Sequence, residues 1–230
     1  MVTGEPSTAR HPSATRLPWW VQPAAGLGLF TVGMAAWMLA GFCALGGIRP
    51  PQDWELPLGS PVGVALDSQG RIYVASQAYS RIQVYDRDGA FLWGWQADTR
   101  GGIFRIVMDP QDRLDVSAAR RDAVLIYSSK GELLHTDPGS PFLYLRLSKL
   151  QAAGRDSLGN SYEIRNPILL PRVVRVAPSG QSKTVIRTRV LLWPLTAPFP
   201  VLVLMAAGAA LTATSKRFWD LVRRLPMPGR

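Results

Sequence analysis

The side chains that most often carry chemistry are scarce in this chain of 230 residues. It has one cysteine, Cys43, and two histidines, His11 and His135. One cysteine excludes an intrachain disulfide and a zinc or iron–sulfur site built from clustered thiolates, and two histidines cannot form a three-histidine metal centre. The sequence therefore predicts no catalytic residue, no cofactor and no metal site.

Aspartates are the remaining candidates for chemistry, and many of them stand where the chain is expected to reverse. The six aspartates in such positions are Asp67, Asp86, Asp88, Asp109, Asp112 and Asp156. Glycine adopts left-handed backbone angles, and an aspartate oxygen can accept hydrogen bonds from the backbone of its own turn. We therefore interpret these carboxylates as turn-forming groups rather than catalytic ones.

The elements that would hold these turns lie between two long uncharged runs. No charged residue or histidine occurs between Arg16 and Arg49, a run of 32 residues. A helix needs about 20 residues to cross about 30 Å of hydrocarbon, so we predict a first transmembrane helix within 17–48. A cleaved signal peptide is the alternative, although its apolar core usually has only about 7–15 residues.

The second uncharged run, 190–215, predicts a second transmembrane helix. Three prolines interrupt it, at positions 194, 198 and 200, and proline removes a backbone donor and clashes with the preceding turn. We expect this helix to begin near Pro198 or Pro200, or to be kinked there.

Small residues recur one helical turn apart on both predicted spans. These residues are Ala36, Ala40 and Ala44 on the first span and Ala206, Ala210 and Thr214 on the second. Such spacing allows close approach of two helices, so we predict that these residues pack the two spans together. Tryptophans near the span ends predict contacts with the lipid headgroup layer; they are Trp19, Trp20, Trp54, Trp193 and Trp219.

The tails 1–16 and 216–230 are both basic, so we expect both in the cytoplasm of a bacterial-type cell. The chain would then be a two-pass protein of the inner membrane. Its middle segment, 49–189, would lie in the periplasm or outside the cell.

That middle segment repeats itself. Asp109 follows Asp67, and Gly131 follows Gly89, each by 42 residues. The first unit predicts four strands, at 61–66, 71–75, 81–85 and 90–95, which are joined by turns. The predicted units span about 58–97, 100–137 and 142–189, with the third the weakest. Sheets of this kind stack radially as propeller blades, because one sheet alone cannot bury its apolar faces.

The first unit resembles an NHL repeat, the blade of a β-propeller family. The resemblance lies in the run Pro61-Val62-Gly63-Val64-Ala65-Leu66-Asp67, in Gly70, in Ile72-Tyr73-Val74-Ala75 and in Arg81-Ile82-Gln83-Val84. It implies a blade used mainly to bind proteins, ligands or nucleic acids, with enzymes in the minority. The predicted fold class is a membrane-anchored all-β protein, in which a three-blade NHL-like partial β-propeller is flanked by two transmembrane α-helices.

Closed propellers typically have four to eight blades, so an arc of three leaves two sheet faces to be covered. A partner protein, a second copy of the chain, the membrane surface or the segment 50–59 could cover them. The middle segment is also basic, with 19 Lys plus Arg against 14 Asp plus Glu. We interpret its arginines as a solvated basic surface. The functional alternative is a docking surface for an acidic protein or anionic headgroups at Arg120, Arg121, Arg172, Arg175, Arg187 and Arg189. No nucleic-acid partner is expected outside the cytoplasm.

Together these features predict a non-catalytic accessory or scaffolding subunit of a larger membrane complex, such as a photosynthetic or respiratory assembly. Its partners would be the other subunits and membrane lipid, with self-association as another way to complete the propeller. The alternatives are a membrane-anchored module that binds a peptide or small ligand in the envelope and, more distantly, a propeller-type hydrolase.

Overall fold

The computed structural model describes residues 18, 20–139, 154–167, 170–188, 192, 198–216, 219–220 and 223. A long helix, α1, spans Val21–Ala44, and a second helix, α2, spans Pro198–Ala213. Between them lie β1 (Pro61–Leu66), β2 (Ile72–Ser76), β3 (Arg81–Tyr85), β4 (Phe91–Gln96), β5 (Phe104–Met108), β6 (Leu114–Ala118), β7 (Ala123–Tyr127), β8 (Leu133–Pro138), β9 (Gly154–Arg155), β10 (Ser161–Arg165), β11 (Arg172–Val176) and β12 (Ser182–Arg187).

The strands form three four-stranded antiparallel sheets: sheet 1 is β1–β4, sheet 2 is β5–β8 and sheet 3 is β9–β12. In each sheet the strands pair in chain order, as a meander. The strands predicted for the first unit agree with β1 and β3, and those predicted for β2 and β4 differ by one residue. The prediction of blade-like four-stranded units is thereby confirmed.

In each sheet, the turn between the first and second strands and the turn between the third and fourth strands contain a residue with positive φ at an equivalent position. In the first turn these residues are Gly70 (φ 77°), Asp112 (φ 58°) and Gly159 (φ 79°). In the second turn they are Gly89, Gly131 and Gly180, with φ between 83° and 88°. The repeat is therefore maintained by backbone geometry even where Asp112 replaces a glycine.

Sheet 1 lies between the other two sheets. One buried cluster joins it to sheet 2, and in this cluster the Trp95 ring lies 6.2 Å from that of Tyr73 and 6.0 Å from that of Tyr127. A second buried cluster joins the opposite face of sheet 1 to sheet 3 through Tyr162, Val173 and Ile186. The spatial order is therefore sheet 3, sheet 1, sheet 2, which differs from the order along the chain.

Helices α1 and α2 pack against each other in antiparallel fashion, since Gly26 faces Gly208 and Gly33 faces Val201. With 24 residues, α1 is long and apolar enough to cross a membrane, and it rises about 36 Å. The 16 residues of α2 rise about 24 Å, which is short of a full hydrocarbon layer. The described helix begins at Pro198, one of the two prolines at which we expected it to begin. A second membrane span over 190–215 remains a prediction.

The contact between sheets 1 and 3 can be tested at Gly89. A Cβ atom there would clash with the Val185 carbonyl oxygen of sheet 3, whereas one at Gly180 would meet nothing within 4 Å. Both glycines have positive φ, so both alanine variants carry similar backbone strain. We expect Gly89→Ala to reduce the free energy of unfolding by about 1–3 kcal/mol more than Gly180→Ala, measured by denaturant titration with tryptophan fluorescence. Equal losses would contradict the packing of sheet 3 on sheet 1.

Candidate docking surface and axial pocket

The side chain of Arg81, the first residue of β3, is completely buried. Its Nη1 donates a hydrogen bond to the Pro50 carbonyl oxygen at 3.0 Å, and its Nη2 donates to those of Pro51 at 2.7 Å and Trp54 at 3.0 Å. No carboxylate pairs with Arg81 among the described residues, and burial lowers the pKa of its guanidinium. The cation is therefore stabilised by hydrogen bonds to the carbonyl groups of the segment that follows α1.

That segment, residues 45–60, is here named the junction segment, and two glutamines add to its attachment. Gln83 exchanges two hydrogen bonds with the backbone of Leu56, at 2.7 and 3.0 Å. Nε2 of Gln96 donates to the carbonyl oxygens of Cys43, in the last turn of α1, and of Tyr79. Sheet 1 is thereby held in one orientation relative to α1.

Sequence reasoning missed Arg81 and Gln83 as residues of this junction. They alternate with Ile82 and Val84 along β3, the pattern of a strand with one face in water. In the structure all five residues of β3 are buried, because the junction segment covers the polar face. The sequence offered one indication of this role: Arg81 begins a predicted strand about 30 residues after the first predicted span.

The residues predicted to pack the helices are only partly in contact. Ala36 is buried, and it lines a cavity of about 270 Å³ with Ala40, Ala44 and Val201. Ala206, Ala210 and Thr214 are exposed, although Thr214 Oγ1 accepts a hydrogen bond from Gln22 at 3.1 Å. The helices also approach each other closely at three glycines, Gly26 and Gly33 on α1 and Gly208 on α2. Glycine, which has no Cβ, allows a closer contact than alanine.

Three of the predicted headgroup tryptophans are described, and all three are exposed: Trp20 at 56%, Trp54 at 59% and Trp219 at 42%. Trp19 and Trp193 lie outside the described residues. Exposed indoles at these positions are compatible with an interfacial role, which remains a prediction.

The predicted docking arginines fall into separate groups. Arg172 and Arg187 are cross-strand partners, and Arg165 joins them as the partner of Arg172 on β10. Arg120 and Arg121 lie together in the loop between β6 and β7, where Arg121 pairs with Asp98. Arg175 instead lines a pocket at the opposite end of sheet 3, and Arg189 lies outside the described residues.

Five of the six hairpin turns begin with a side chain that accepts hydrogen bonds from its own turn. In each, one side-chain oxygen accepts from the backbone N–H groups two and four residues later, at 2.8 to 3.3 Å; the residues are Asp67, Asp86, Asp109, Ser128 and Asp156. This geometry agrees with the structural role expected for these aspartates.

The carboxylates of Asp109 and Asp156 are stabilised in the ionised form. Partial burial raises the pKa of each, but the hydrogen bonds within the turn outweigh it and hold the pKa below the usual value. The second oxygen of Asp109 also accepts from Arg113 Nε at 2.6 Å, and that of Asp156 accepts from Asn160 at 2.8 Å. These oxygens are therefore occupied within their own turns.

A pocket of about 410 Å³ opens where the innermost turns of the three sheets meet. Its lining includes Asp112, Arg155 and Arg175, and Asp112 also bonds the Ser68 backbone N–H at 2.8 Å, which joins the turns of sheets 1 and 2. No group of three or more His, Cys, Asp or Glu side chains suited to a metal ion occurs among the described residues. This pocket, here called the axial pocket, thus offers carboxylates from all three sheets and arginine side chains from sheets 1 and 3.

No family model matches the chain, and no curated protein matches it. Solved structures with a similar arrangement include a streptogramin B lyase, which is 12% identical with a TM-score of 0.33 over 60% of this chain and 44% of that chain. A protein of unknown function from Bacteroides caccae is 22% identical, with a TM-score of 0.31 over 58% of this chain and 49% of that one.

Virginiamycin B lyase from Staphylococcus aureus gives 10% identity and a TM-score of 0.32, over 60% of this chain and 44% of that chain. The chain spans less than half the length of each of these structures. At these levels of identity and TM-score, the likeness carries no inference about activity.

The attachment of the junction segment by Arg81 predicts a large loss of stability on its removal. Arg81→Leu removes three hydrogen bonds from a charged, buried guanidinium to the junction segment, so we expect the free energy of unfolding to fall by about 3 kcal/mol or more. Arg165→Leu, a half-exposed arginine at another strand end, should cost less than about 1 kcal/mol. Hydrogen exchange of residues 50–56 should become faster in the first variant only. Similar exchange in both would show that Arg81 does not hold the segment.

The turn aspartates predict a dependence of stability on pH. Because the folded pKa of Asp109 is depressed, its stabilising effect is present above the unfolded pKa of about 3.9 and is lost as the pH falls through the folded value. Asp109→Asn should therefore flatten the decline in Tm between about pH 5 and 2.5. Ser128→Ala removes an equivalent acceptor that does not titrate, so it should lower Tm without altering the slope. Parallel curves for Asp109→Asn and the wild type would contradict the assignment.

Proposed function

We propose that this chain is a membrane-anchored, non-catalytic docking subunit of a larger membrane complex. Two spans would hold it in the membrane, the three sheets would be an NHL-like partial propeller on the outer side, and both tails would be cytoplasmic. The observation that carries the proposal is the fixed junction between α1 and sheet 1, made by Arg81, Gln83 and Gln96. A module that only captured diffusing ligands would not need one orientation relative to the bilayer, whereas a subunit with a set place in an assembly would.

The outer strand of sheet 2 offers a surface for such docking. Leu133 and Leu134, at the start of β8, are 50% and 53% exposed. Sheet 2 packs on sheet 1 through one face, and β8 has one edge free of strand partners among the described residues. An edge strand with exposed leucines favours association with another protein.

A second candidate, a binding module for a small charged ligand or peptide, is favoured by the axial pocket. Its volume of about 410 Å³ is sufficient for a small molecule, and Arg155 and Arg175 would suit an anionic group. The turn carboxylates Asp67, Asp109 and Asp156 already accept hydrogen bonds within their turns. These hydrogen bonds argue against a role of the carboxylates as a general base, so the pocket favours binding over hydrolysis.

The docking proposal predicts that neighbouring subunits copurify with the full chain after mild detergent extraction, and that Leu134→Lys reduces their recovery about tenfold. Leu92→Lys is the matched control, because Leu92 has the same position on β4 of the central sheet, 39% exposed. Native gels and mass spectrometry of the purified sample would measure both.

Three results would contradict the proposal. Wild-type chain that migrates alone would exclude a stable complex, and retention of a small molecule by that lone chain would favour the second candidate. Equal loss of partners in Leu134→Lys and Leu92→Lys would exclude sheet 2 as the docking edge.

A further inference from the structure

Charge is unevenly distributed between the two ends of the sheets. The distal end consists of the six hairpin turns, 67–71, 86–90, 109–113, 128–132, 156–160 and 177–181, in which acidic residues outnumber basic ones. The proximal end is the opposite one, where Gln96 of β4 meets Cys43 of α1. There, in the described loops between strands and the terminal strand residues, the charged residues are Arg81, Asp98, Arg100, Arg120, Arg121, Asp122, Arg165, Arg172 and Arg187; the junction segment adds Arg49, Asp53 and Glu55.

The strongest concentration of charge at the proximal end is on sheet 3. Arg165, Arg172 and Arg187 occupy one cross-strand row on three adjacent strands, which are about 4.8 Å apart. Like charges directly opposite each other are destabilising in a sheet unless something neutralises them. Glu163 pairs with Arg165, but Nε of Arg172 is buried without a hydrogen-bond partner among the residues that the structure describes.

The row lies at the same end of the molecule as the helices. Arg165, Arg172 and Arg187 are the counterparts in sheet 3 of Ser76, Arg81 and Gln96 in sheet 1. Arg187 also lines a small cavity of about 140 Å³ with Glu55 and Leu56 of the junction segment. Glu55 is the acidic side chain of the junction segment that faces this cavity, so it offsets only part of the charge of the row.

We propose that the proximal arginines bind the phosphate groups of anionic lipids in the leaflet from which α1 emerges. The inference rests on the proposed membrane anchoring, and it adds the lipid as a specific partner of the row Arg165, Arg172 and Arg187. Basic residues near a membrane surface attract anionic headgroups, and arginine can present two parallel donors to a phosphate. The row lies at the proximal end, where α1 leaves the sheets, and this end faces the headgroup layer. Lipid is therefore favoured over an acidic protein as the partner.

The test is titration of the detergent-solubilised full chain with phosphatidylglycerol and with phosphatidylcholine, followed by native mass spectrometry. We expect phosphatidylglycerol to bind more tightly, and the variant R165Q/R172Q/R187Q to lose about tenfold or more of that affinity while its affinity for phosphatidylcholine is unchanged. The control variant R87Q/K130Q/K183Q removes the same charge from residues outside the proximal end. It should retain the wild-type preference.

Several outcomes would overturn the inference. Equal losses in the two triple variants would show a general effect of net charge, and no loss in the first would show that the row does not bind the headgroup. Unchanged lipid affinity together with loss of a copurifying subunit would assign the row to a protein partner instead. If the first triple variant fails to fold, R187Q alone, at an exposed residue, should still weaken binding about fivefold. Since the titration uses the isolated chain, it is independent of whether a larger complex exists.

Discussion

The burial of one guanidinium organises the relation between the helix and the sheets. Arg81 is fully buried without a carboxylate partner among the described residues, and transfer of a lone cation out of water is costly unless hydrogen bonds compensate. The compensation comes from the carbonyl groups of Pro50, Pro51 and Trp54. Two of these residues are prolines, which donate no backbone hydrogen bond of their own and have a fixed φ, so the segment presents its oxygens at small conformational cost.

The same constraint determines how the sheets are arranged around α1. The junction segment lies on the polar side of β3, where its Gln52 carbonyl accepts from the Gly94 backbone N–H at 2.8 Å and Leu58 enters the core shared with sheet 3. Sheet 1 thus contacts the helix end, the junction segment and both other sheets. A central position for the first sheet follows, although in the chain it precedes the other two.

The distribution of charge gives this arrangement a direction. The distal turns use aspartates because their oxygens complete the turn hydrogen bonds, so acidic residues accumulate there for reasons of folding. Arginines accumulate at the opposite end, where the strands run towards the helices. The acidic turns and the basic surface therefore lie at opposite ends of the strands, and each end can bind a different kind of partner.

Much of the architecture is determined locally. The strands of the first unit, the turn positions and the long apolar helix follow from alternation, from Asp and Gly placement and from the absence of charge, because these patterns depend on neighbours within a few residues. Even the match of Asp112 to Gly70 was available from the 42-residue period.

Contacts between distant segments were decided only in the tertiary structure. Packing of sheet 3 on sheet 1, the glycine contacts of the helices and the burial of Arg81 and Gln83 depend on which surfaces meet, which no local pattern specifies. The row Arg165, Arg172 and Arg187 arises in the same way. It requires the register of three strands, and one residue of slip would turn its side chains to the other face.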